Sequence, residues 1–171
     1  MLIKEFKGKK PQIDDSCFVA ENATVVGDAV IKADCSVWYG AVIRADMAQI
    51  FIDEGSNVQD NATVHCSPGY ECYIGKNVTI GHNAIVHGAK IADNVMVGMH
   101  ATVLNGAVVG SNSIVAAGAL VTENCIIPEN SLVVGVPAKV IKTLSPAAVE
   151  SILVNAQHYA DISKEHKNNI K

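Results

Sequence analysis

Valine or isoleucine recurs at every sixth position through most of this chain. The series begins at Val19, slips by three residues after Ile43 and by four after Val64, loses one residue after Val86, and then runs unbroken to Val133. All nineteen slots hold a β-branched residue, and a small residue stands four positions later in thirteen of them. This period fits neither the helical turn nor the two-residue alternation of a strand. It predicts short strands joined by tight corners, with the β-branched side chains directed inward.

The residues between these slots are suited to corners. Glycine, asparagine and aspartate recur there, as in Gly27-Asp28 and Gly75-Lys76-Asn77, and they tolerate the backbone angles that a corner needs. Three edges per turn would form a triangular prism in which stacked turns share parallel strand hydrogen bonds. Nineteen hexads at three per turn therefore predict a mainly β protein, a parallel β-helix of about six turns.

The segments at both ends of the repeat differ from it. Residues 1–18 are expected to form an N-terminal cap, because the ends of a stacked repeat need covering, and the repeat itself is assigned to residues 19–138. The motif Ser145-Pro146 is typical of a helix start, and apolar residues then recur at helical spacing. One C-terminal α-helix over residues 145–167 is expected to pack along the prism within a single domain, and residues 167–171 are expected to fray.

Two of the six histidines fall in equivalent registers. His65 follows Val64 by one residue, and His87 follows Val86 by one. Their separation is 22 residues, of which four belong to the slip after Val64, and the remaining 18 make one full turn. Adjacent parallel strands lie about 4.8 Å apart, so the two imidazoles are expected to stack on one face within reach of one metal ion.

A third histidine, His82, stands on the neighbouring face, two residues after Ile80. It need not meet His65 and His87 within one chain, but a threefold assembly of prisms would bring it against the corresponding face of another chain. Three neutral imidazoles and an open fourth position for water are the arrangement of a catalytic zinc site. The register therefore predicts a homotrimer with a metal site at each interface.

The same register calculation aligns two charged residues with two of the histidines. Arg44 lies one turn below His65 once the three-residue slip is subtracted, and Asp60 lies one turn below His82. An interface that joins His82 to His65 would therefore also place Arg44 of one chain opposite Asp60 of the next. An arginine–carboxylate pair there would fix the register of the trimer.

With these residues in place, the chain resembles the γ-class carbonic anhydrases over about residues 10–165. The motifs that carry the resemblance are Arg44-Ala45-Asp46, Asn57-Val58-Gln59-Asp60, His65, and the pair His82 and His87 in GHNAIVH. The resemblance implies a left-handed β-helix, a handedness that the period does not indicate, because parallel crossovers are usually right-handed. It also implies a trimer that binds zinc, with iron or cobalt as alternatives, through the three histidines.

The reaction implied by the resemblance is hydration of carbon dioxide to bicarbonate at the metal. By the same resemblance, Gln59 orients the metal-bound solvent as a catalytic residue, Asn57 lines the pocket, and Tyr159 on the helix reaches the site. The ion-pairing residues that the resemblance assigns to the subunit interface are Arg44, Asp46 and Asp60.

Two positions depart from the strongly active members of that family. Met47 occupies a position that carries glutamate in those members, and Glu71 is the one acid in segment 66–72, where they hold a proton-shuttling glutamate. Each catalytic cycle must export a proton, so the activity is expected to be low, absent or redox-dependent, and a metal site with another hydrolytic or regulatory use stays open. Cys66 and Cys72 flank this segment, and they are interpreted either as two loop thiols or as a disulfide or extra ligand that gates the site.

Two other functions stay open on the sequence. Many hexapeptide-repeat proteins are acyltransferases that bind coenzyme A between prisms and use one histidine as general base, whereas three histidines here lie at metal-compatible positions. A third hypothesis is a non-catalytic trimeric scaffold in which the metal only joins the subunits, although structural zinc sites usually have four protein ligands.

The net charge and the composition limit the classes of binding partner that the chain is expected to have. The net charge is −4 over 171 residues, which disfavours a strongly basic nucleic-acid binder. Neither an apolar run of about 18 residues nor an export signal is found, so neither a membrane nor a nucleic acid is expected as a partner. Five cysteines, an odd number with no CxxC pair, favour reduced thiols in the cytoplasm.

Overall fold

The computed structural model describes residues 1–169, which form twenty short strands and one long helix. The elements are β1 (Leu2–Lys4), β2 (Gln12–Ile13), β3 (Phe18–Val19), β4 (Thr24–Ile31), β5 (Ser36–Val37), β6 (Val42–Ile52), β7 (Asn57–Val58), β8 (Thr63–His65), β9 (Cys72–Ile74), β10 (Thr79–Ile80), β11 (Ile85–His87), β12 (Lys90–Ile91), β13 (Met96–Val97), β14 (Thr102–Val103), β15 (Val108–Val109), β16 (Ile114–Val115), β17 (Leu120–Val121), β18 (Ile126–Ile127), β19 (Ser131–Val134), β20 (Lys139–Thr143) and α1 (Pro146–Asn169).

These strands stack as the three faces of a prism. The first face holds β1, the first halves of β4 and β6, and then β8, β11, β14 and β17. The second face holds β2, the second halves of β4 and β6, and then β9, β12, β15 and β18. The third face runs from β3 through β5, β7, β10, β13 and β16 to β19. All pairs are parallel except the closing pair of β19 with β20, and the fold is the expected left-handed β-helix.

The prism has about seven turns rather than six. The extra turn comes from residues that precede the first hexad: β1 and β2 both pair in parallel with β4. Residues 1–18, which the pattern assigns to a cap, thus supply the terminal turn of the stack. The hexad count misses this turn because Ile3 and Ile13 are ten residues apart.

The core consists almost entirely of the β-branched slots. Residues such as Val64, Ile80 and Val103 have no exposed surface. Small side chains fill the corners, and Ala62 and Ala84 are likewise fully buried. Seven asparagines take positive φ at or near the corners, a conformation that asparagine adopts at low cost. They are Asn61, Asn77, Asn83, Asn94, Asn112, Asn124 and Asn130.

Both slips in the period appear as loops at the corner between the first and second faces. In β6, Ala45 lies opposite Gly27 and Ile50 lies opposite Ala29, so residues 46–49 bulge outward across from a single residue of β4. In the next turn, a tight turn closes between β8 and β9, where the Tyr70 amide donates to the Ser67 carbonyl at 2.9 Å. The two loops frame the end of the strand that carries His65.

The C-terminal helix runs along the third face. The Ser145 hydroxyl accepts a hydrogen bond from the Ala148 amide at 3.3 Å, as an N-cap residue does. The helix buries residues at every third or fourth position, Ile152, Ala156, Ala160 and Ser163. It continues two residues beyond the predicted end, so residues 167–169 are helical rather than frayed, and residues 170–171 lie outside the described part. Within residues 1–169, no helix has the length and apolar character that crossing a bilayer needs.

Gly27 controls the bulge that carries Asp46. Its φ is +80°, and a Cβ there would lie 2.2 Å from the Ala45 carbonyl oxygen. Gly118 provides a matched control, since its φ is +68° but a Cβ would meet nothing within 4 Å. We expect Gly118→Ala to lower the free energy of unfolding by about 1–2 kcal/mol, the cost of a left-handed alanine, and Gly27→Ala to lower it by more than about 3 kcal/mol because of the backbone clash.

Urea unfolding of both variants at equal protein concentration checks this expectation. Equal losses in the free energy of unfolding for the two variants would show that the close approach of Gly27 to Ala45 does not affect stability.

Candidate metal centre

Two histidines stack at the ends of adjacent strands. His65 closes β8 and His87 closes β11, and the strand register pairs the two residues directly, as the 18-residue arithmetic predicts. The ring centroids lie 4.8 Å apart, and Nδ1 of His65 lies 2.9 Å from Nε2 of His87. Two imidazole nitrogens that bind one tetrahedral zinc at 2.0–2.1 Å lie about 3.3 Å apart, so the pair needs to open by only a few tenths of an ångström.

The other nitrogen of each ring is held by an oxygen. Nε2 of His65 lies 3.0 Å from Oδ1 of Asp46, and Nδ1 of His87 lies 2.8 Å from Oδ1 of Asn105. Because these oxygens only accept hydrogen bonds, both outer nitrogens carry the proton. The inner nitrogens, Nδ1 of His65 and Nε2 of His87, face one another at hydrogen-bond distance and are the atoms through which both rings can bind one cation. Metal-binding histidines are commonly oriented in this way by an oxygen acceptor on the other ring nitrogen.

Asp46 links the pair to Arg44. The Arg44 guanidinium donates to Oδ2 of Asp46, and Arg44 lies one turn below His65 in the register. Burial raises the pKa of Asp46, but the hydrogen bonds from His65 and Arg44 and the charge of Arg44 outweigh it and hold the pKa below its usual range. Asp46 is thus anionic at neutral pH and orients His65, in addition to the interface role expected from the sequence.

His82 lies apart, at the corner between the third and first faces. Its Nδ1 lies 2.9 Å from Oδ2 of Asp60, one turn below as the register predicts, and its Nε2 lies 3.4 Å from the Tyr159 hydroxyl. Asp60 accepts the proton of Nδ1, so His82 also presents a lone pair, from Nε2. Burial and the Asp60 carboxylate raise the pKa of Tyr159, which keeps its hydroxyl protonated as a donor. Within residues 1–169, no hydrogen bond joins His82 to His65 or His87.

Asn57 and Gln59 lie on the third face, one turn below the strand that leads to His82, and within residues 1–169 neither makes a hydrogen bond to the stacked pair. Both are almost fully buried. Gln59 Nε2 donates to Oδ1 of Asn57 at 3.1 Å, and Asn57 Nδ2 donates to the Thr79 hydroxyl at 2.9 Å. The Thr79 hydroxyl in turn donates to Oδ1 of Asn155 on the helix at 3.0 Å. This chain of bonds holds both amides rigidly between the prism and α1.

The candidate residues therefore form two groups in one chain. The histidine-pair patch comprises Arg44, Asp46, His65, His87 and Asn105. The His82 patch comprises Asn57, Gln59, Asp60, His82 and Tyr159. Asn105 was missed on the sequence because the residue lost after Val86 puts Leu104, and not Asn105, in register above His87. Asn105 contacts the histidine from the position after that.

The inserted segment beside His65 contains no disulfide. Cys66 and Cys72 are both free and buried, so the interpretation as two loop thiols holds and the disulfide interpretation is wrong. Cys66, together with Asp46 and His65, forms a group whose ligand atoms lie within 4.8 Å of one another. However, the Cys66 sulfur donates to the Ala48 carbonyl at 3.1 Å and accepts from the Ala48 amide at 3.2 Å, so it is already committed to the backbone.

Met47 and Glu71 both lie at the rim of this corner. The Met47 side chain is largely exposed at 57%. Glu71 lines a cavity of about 370 Å³ together with Tyr70 and Lys90. Neither residue makes a hydrogen bond to the stacked histidines within the described chain.

Comparison with known proteins places this architecture among recognised relatives. The family model described as "Bacterial transferase hexapeptide (six repeats)" matches residues 71–105 and 88–123. A "Probable carbonic anhydrase" of Methanocaldococcus jannaschii is 54% identical over 85% of this chain and 92% of that protein. "Gamma carbonic anhydrase 1, mitochondrial" of Arabidopsis thaliana is 38% identical over 92% of this chain and 60% of that protein.

A solved structure bears a different kind of name. The crystal structure of a "putative acetyltransferase" of Bacillus cereus superposes with a TM-score of 0.96 at 35% identity, over 98% of this chain and 97% of that one. Fold and family model thus describe the hexapeptide repeat in general, whereas the two sequence relatives quoted above bear the carbonic anhydrase name. The chain therefore belongs to the γ-class carbonic anhydrase family of hexapeptide-repeat proteins, a family of lyases.

Proposed function

We propose that this protein hydrates carbon dioxide reversibly to bicarbonate at a divalent metal held between the subunits of a homotrimer. Zinc is the expected metal, with Fe²⁺ or Co²⁺ as alternatives. The observation that carries the proposal is common to His65, His82 and His87: one ring nitrogen of each is committed to an oxygen acceptor. The other nitrogen of each ring points away from that acceptor and is the atom through which the ring would bind a metal. At His82 the ion would displace the contact of Nε2 with the Tyr159 hydroxyl.

The two patches explain why more than one chain is needed. His82 follows β10 on the third face, whereas His87 ends β11 on the first face, so one prism holds the two donor groups on different parts of its surface. In the proposed trimer, the His82 patch of one copy meets the histidine-pair patch of the next. A closed threefold arrangement repeats this contact three times, and the same contact would place Arg44 opposite Asp60.

The residues around the metal would orient the imidazole ligands, the solvent and the substrate. When bound, the metal supplies the Lewis acidity that makes a water molecule nucleophilic near neutral pH. Asp46, Asn105 and Asp60 hold the three imidazoles in the required tautomers. Gln59 and Asn57, fixed by the hydrogen bonds to Thr79 and Asn155, offer rigid amide groups beside His82 to orient solvent and substrate. The Tyr159 hydroxyl donates a hydrogen bond on the same side.

Acyl transfer from coenzyme A is the second candidate function. The name of the Bacillus cereus structure and the description of the family model favour it. The orientation of three histidines by oxygen acceptors disfavours it, because a general base needs only one histidine. A metal-stapled scaffold without catalysis is the third candidate, and the measurements below separate all three.

We further propose a cytoplasmic location with carbon dioxide and bicarbonate as small-molecule ligands. The support is compositional: five cysteines without a CxxC pair suit a reducing compartment, and a net charge of −4 suits neither nucleic acid nor an anionic lipid surface.

Complementation between two inactive variants tests the shared site. His65→Ala disables the histidine-pair patch and His82→Ala disables the other patch, so each variant alone should lose nearly all bound metal. After co-refolding at equal amounts, an interface with one intact patch of each kind forms for about a quarter of the sites in randomly mixed trimers. Metal analysis and carbon dioxide hydration should both recover to about that fraction.

The matched control is a mixture of His65→Ala with His87→Ala. Both changes fall in the same patch, so we expect no recovery. Equal behaviour of the two mixtures, or full metal content in His82→Ala alone, would contradict a metal site shared between chains.

Buffer dependence tests the expected weakness in proton export. Because Met47 replaces an acid and Glu71 makes no hydrogen bond to the stacked pair, kcat for carbon dioxide hydration should rise several-fold as the concentration of imidazole buffer increases. Stopped-flow hydration measures this directly. A parallel assay with acetyl-coenzyme A should give no transfer above background, and transfer without hydration would favour the rival function.

A single substitution should reduce this dependence. Met47→Glu places a carboxylate at an exposed position beside Asp46, so we expect a higher kcat at low buffer than in the parent protein. Met47→Gln is the control, since it has a similar size but cannot carry a proton near neutral pH. The same increase in both variants would show that proton transfer is not the cause.

A further inference from the structure

Two cysteines far from the metal centre occupy the same position in consecutive turns. Cys17 and Cys35 are 18 residues apart and directly precede β3 and β5, which pair in parallel. The Cys17 thiol donates to the Lys32 carbonyl at 3.0 Å, and the Cys35 thiol donates to the Asp53 carbonyl at 3.1 Å. Both thiols thus repeat one geometry, and their backbones are separated by the turn spacing of about 4.8 Å.

This spacing suits a covalent bridge. Disulfides join residues whose Cα atoms lie about 4.4–6.8 Å apart, and the turn spacing falls inside that range. Rotation of the two side chains away from their carbonyl acceptors would bring the sulfurs together without displacing either strand.

The two thiols differ in how they can be reached. Cys17 lines a cavity of about 360 Å³ at the N-terminal end of the prism, together with Ile3, Ile13 and Lys167. Cys35 lies one turn deeper and is 2% exposed, against 7% for Cys17. A small solute would therefore meet Cys17 first.

Their acidities differ in the same sense. The neighbouring Cys35 side chain lowers the pKa of Cys17. The neighbouring Cys17 side chain and burial raise the pKa of Cys35. Because the thiolate is the nucleophile in thiol chemistry, Cys17 is suited to attack and Cys35 to resolve the product.

We propose that Cys17 and Cys35 are a redox modification site that forms a reversible disulfide by exchange with a small-molecule disulfide of the glutathione class. The Cys17 thiolate attacks one sulfur of the oxidant, breaks its S–S bond and releases one thiolate. Cys35 then loses its proton, attacks the Cys17 sulfur of the mixed disulfide and expels the second thiolate. The two cysteines are oxidised, the oxidant is reduced to two thiols, and the two cysteine protons pass to the released thiolates.

The bridge would join the first turn to the second where the helix ends. Phe18, next to Cys17, packs against Trp38 with ring centroids 5.2 Å apart, and Trp38 packs against His166 of the helix at 5.0 Å. Terminal repeats have neighbours on one side only, so a covalent link here would restrain the end of the stack that has least support.

Two other cysteines serve as internal controls. Cys66 and Cys72 have almost no exposed surface, and burial raises the pKa of Cys72 to about 12. Cys66 is committed on both sides to the backbone of Ala48. These thiols should stay reduced while the Cys17–Cys35 pair reacts.

Titration of the purified full chain with oxidised glutathione tests the proposal. We expect two of the five thiols to become resistant to alkylation, with a mass loss of about 2 Da for the two hydrogens, and a peptide that joins Cys17 to Cys35. The bridge should raise the Tm by several degrees, and dithiothreitol should reverse both changes. Cys35→Ser should stop at a stable glutathione adduct on Cys17, Cys17→Ser should keep Cys35 reduced, and Cys66→Ser should behave like the parent protein.

Peptide mapping of the parent protein tests the proposed disulfide without any substitution, so the result does not depend on whether a variant folds. Cys125 is half-buried, whereas the other four cysteines are buried. Recovery of both Cys17 and Cys35 as alkylated peptides at oxidant concentrations that modify Cys125 would overturn the proposal. Loss of as many thiols in Cys17→Ser as in the parent protein would also overturn it.

Discussion

The stacking of turns at a fixed 18-residue interval is the constraint on which this molecule depends. Each turn can bury its β-branched slots only against its neighbours, so a residue and its counterpart one turn later are held about 4.8 Å apart. Side chains with chemistry are therefore aligned in columns. His65 lies below His87, Asp60 lies below His82, and Cys17 lies below Cys35. Two of these columns form the candidate metal centre, and the last one forms the proposed redox pair.

The slips in the period have as much consequence as the period itself. Both interrupt the corner beside His65, and the first one expels residues 46–49 as a bulge opposite Gly27. This bulge turns Asp46 towards Nε2 of His65, which a regular corner would not do. A uniform solenoid would thus stack the two histidines but leave His65 without the acceptor that fixes its tautomer. The irregular residues adapt a repetitive scaffold to a specific site.

Much of this arrangement can be read from the sequence, because turn arithmetic needs only the period and its slips. The columns His65–His87 and Asp60–His82 and the C-terminal helix follow in this way. The first turn does not, because Ile3 and Ile13 are not six residues apart and their pairing with β4 depends on tertiary contacts. The pairing of Arg44 with Asp46 inside one chain depends on the shape of the bulge, which no period encodes. The left hand of the prism came from family resemblance alone.

The fold by itself does not select a reaction, since hexapeptide prisms bear both transferase and carbonic anhydrase names. What distinguishes this chain is the orientation of three imidazoles, each with one ring nitrogen directed to an oxygen and the other directed away from it. Anomalous scattering at the zinc, iron and cobalt edges from a crystal of the protein tests this most directly. We predict one peak per chain between His65 and His87 of one copy and His82 of the next. A peak confined to Asp46, His65 and Cys66 of a single chain, or the absence of any peak near the stacked pair in metal-loaded protein, would contradict it.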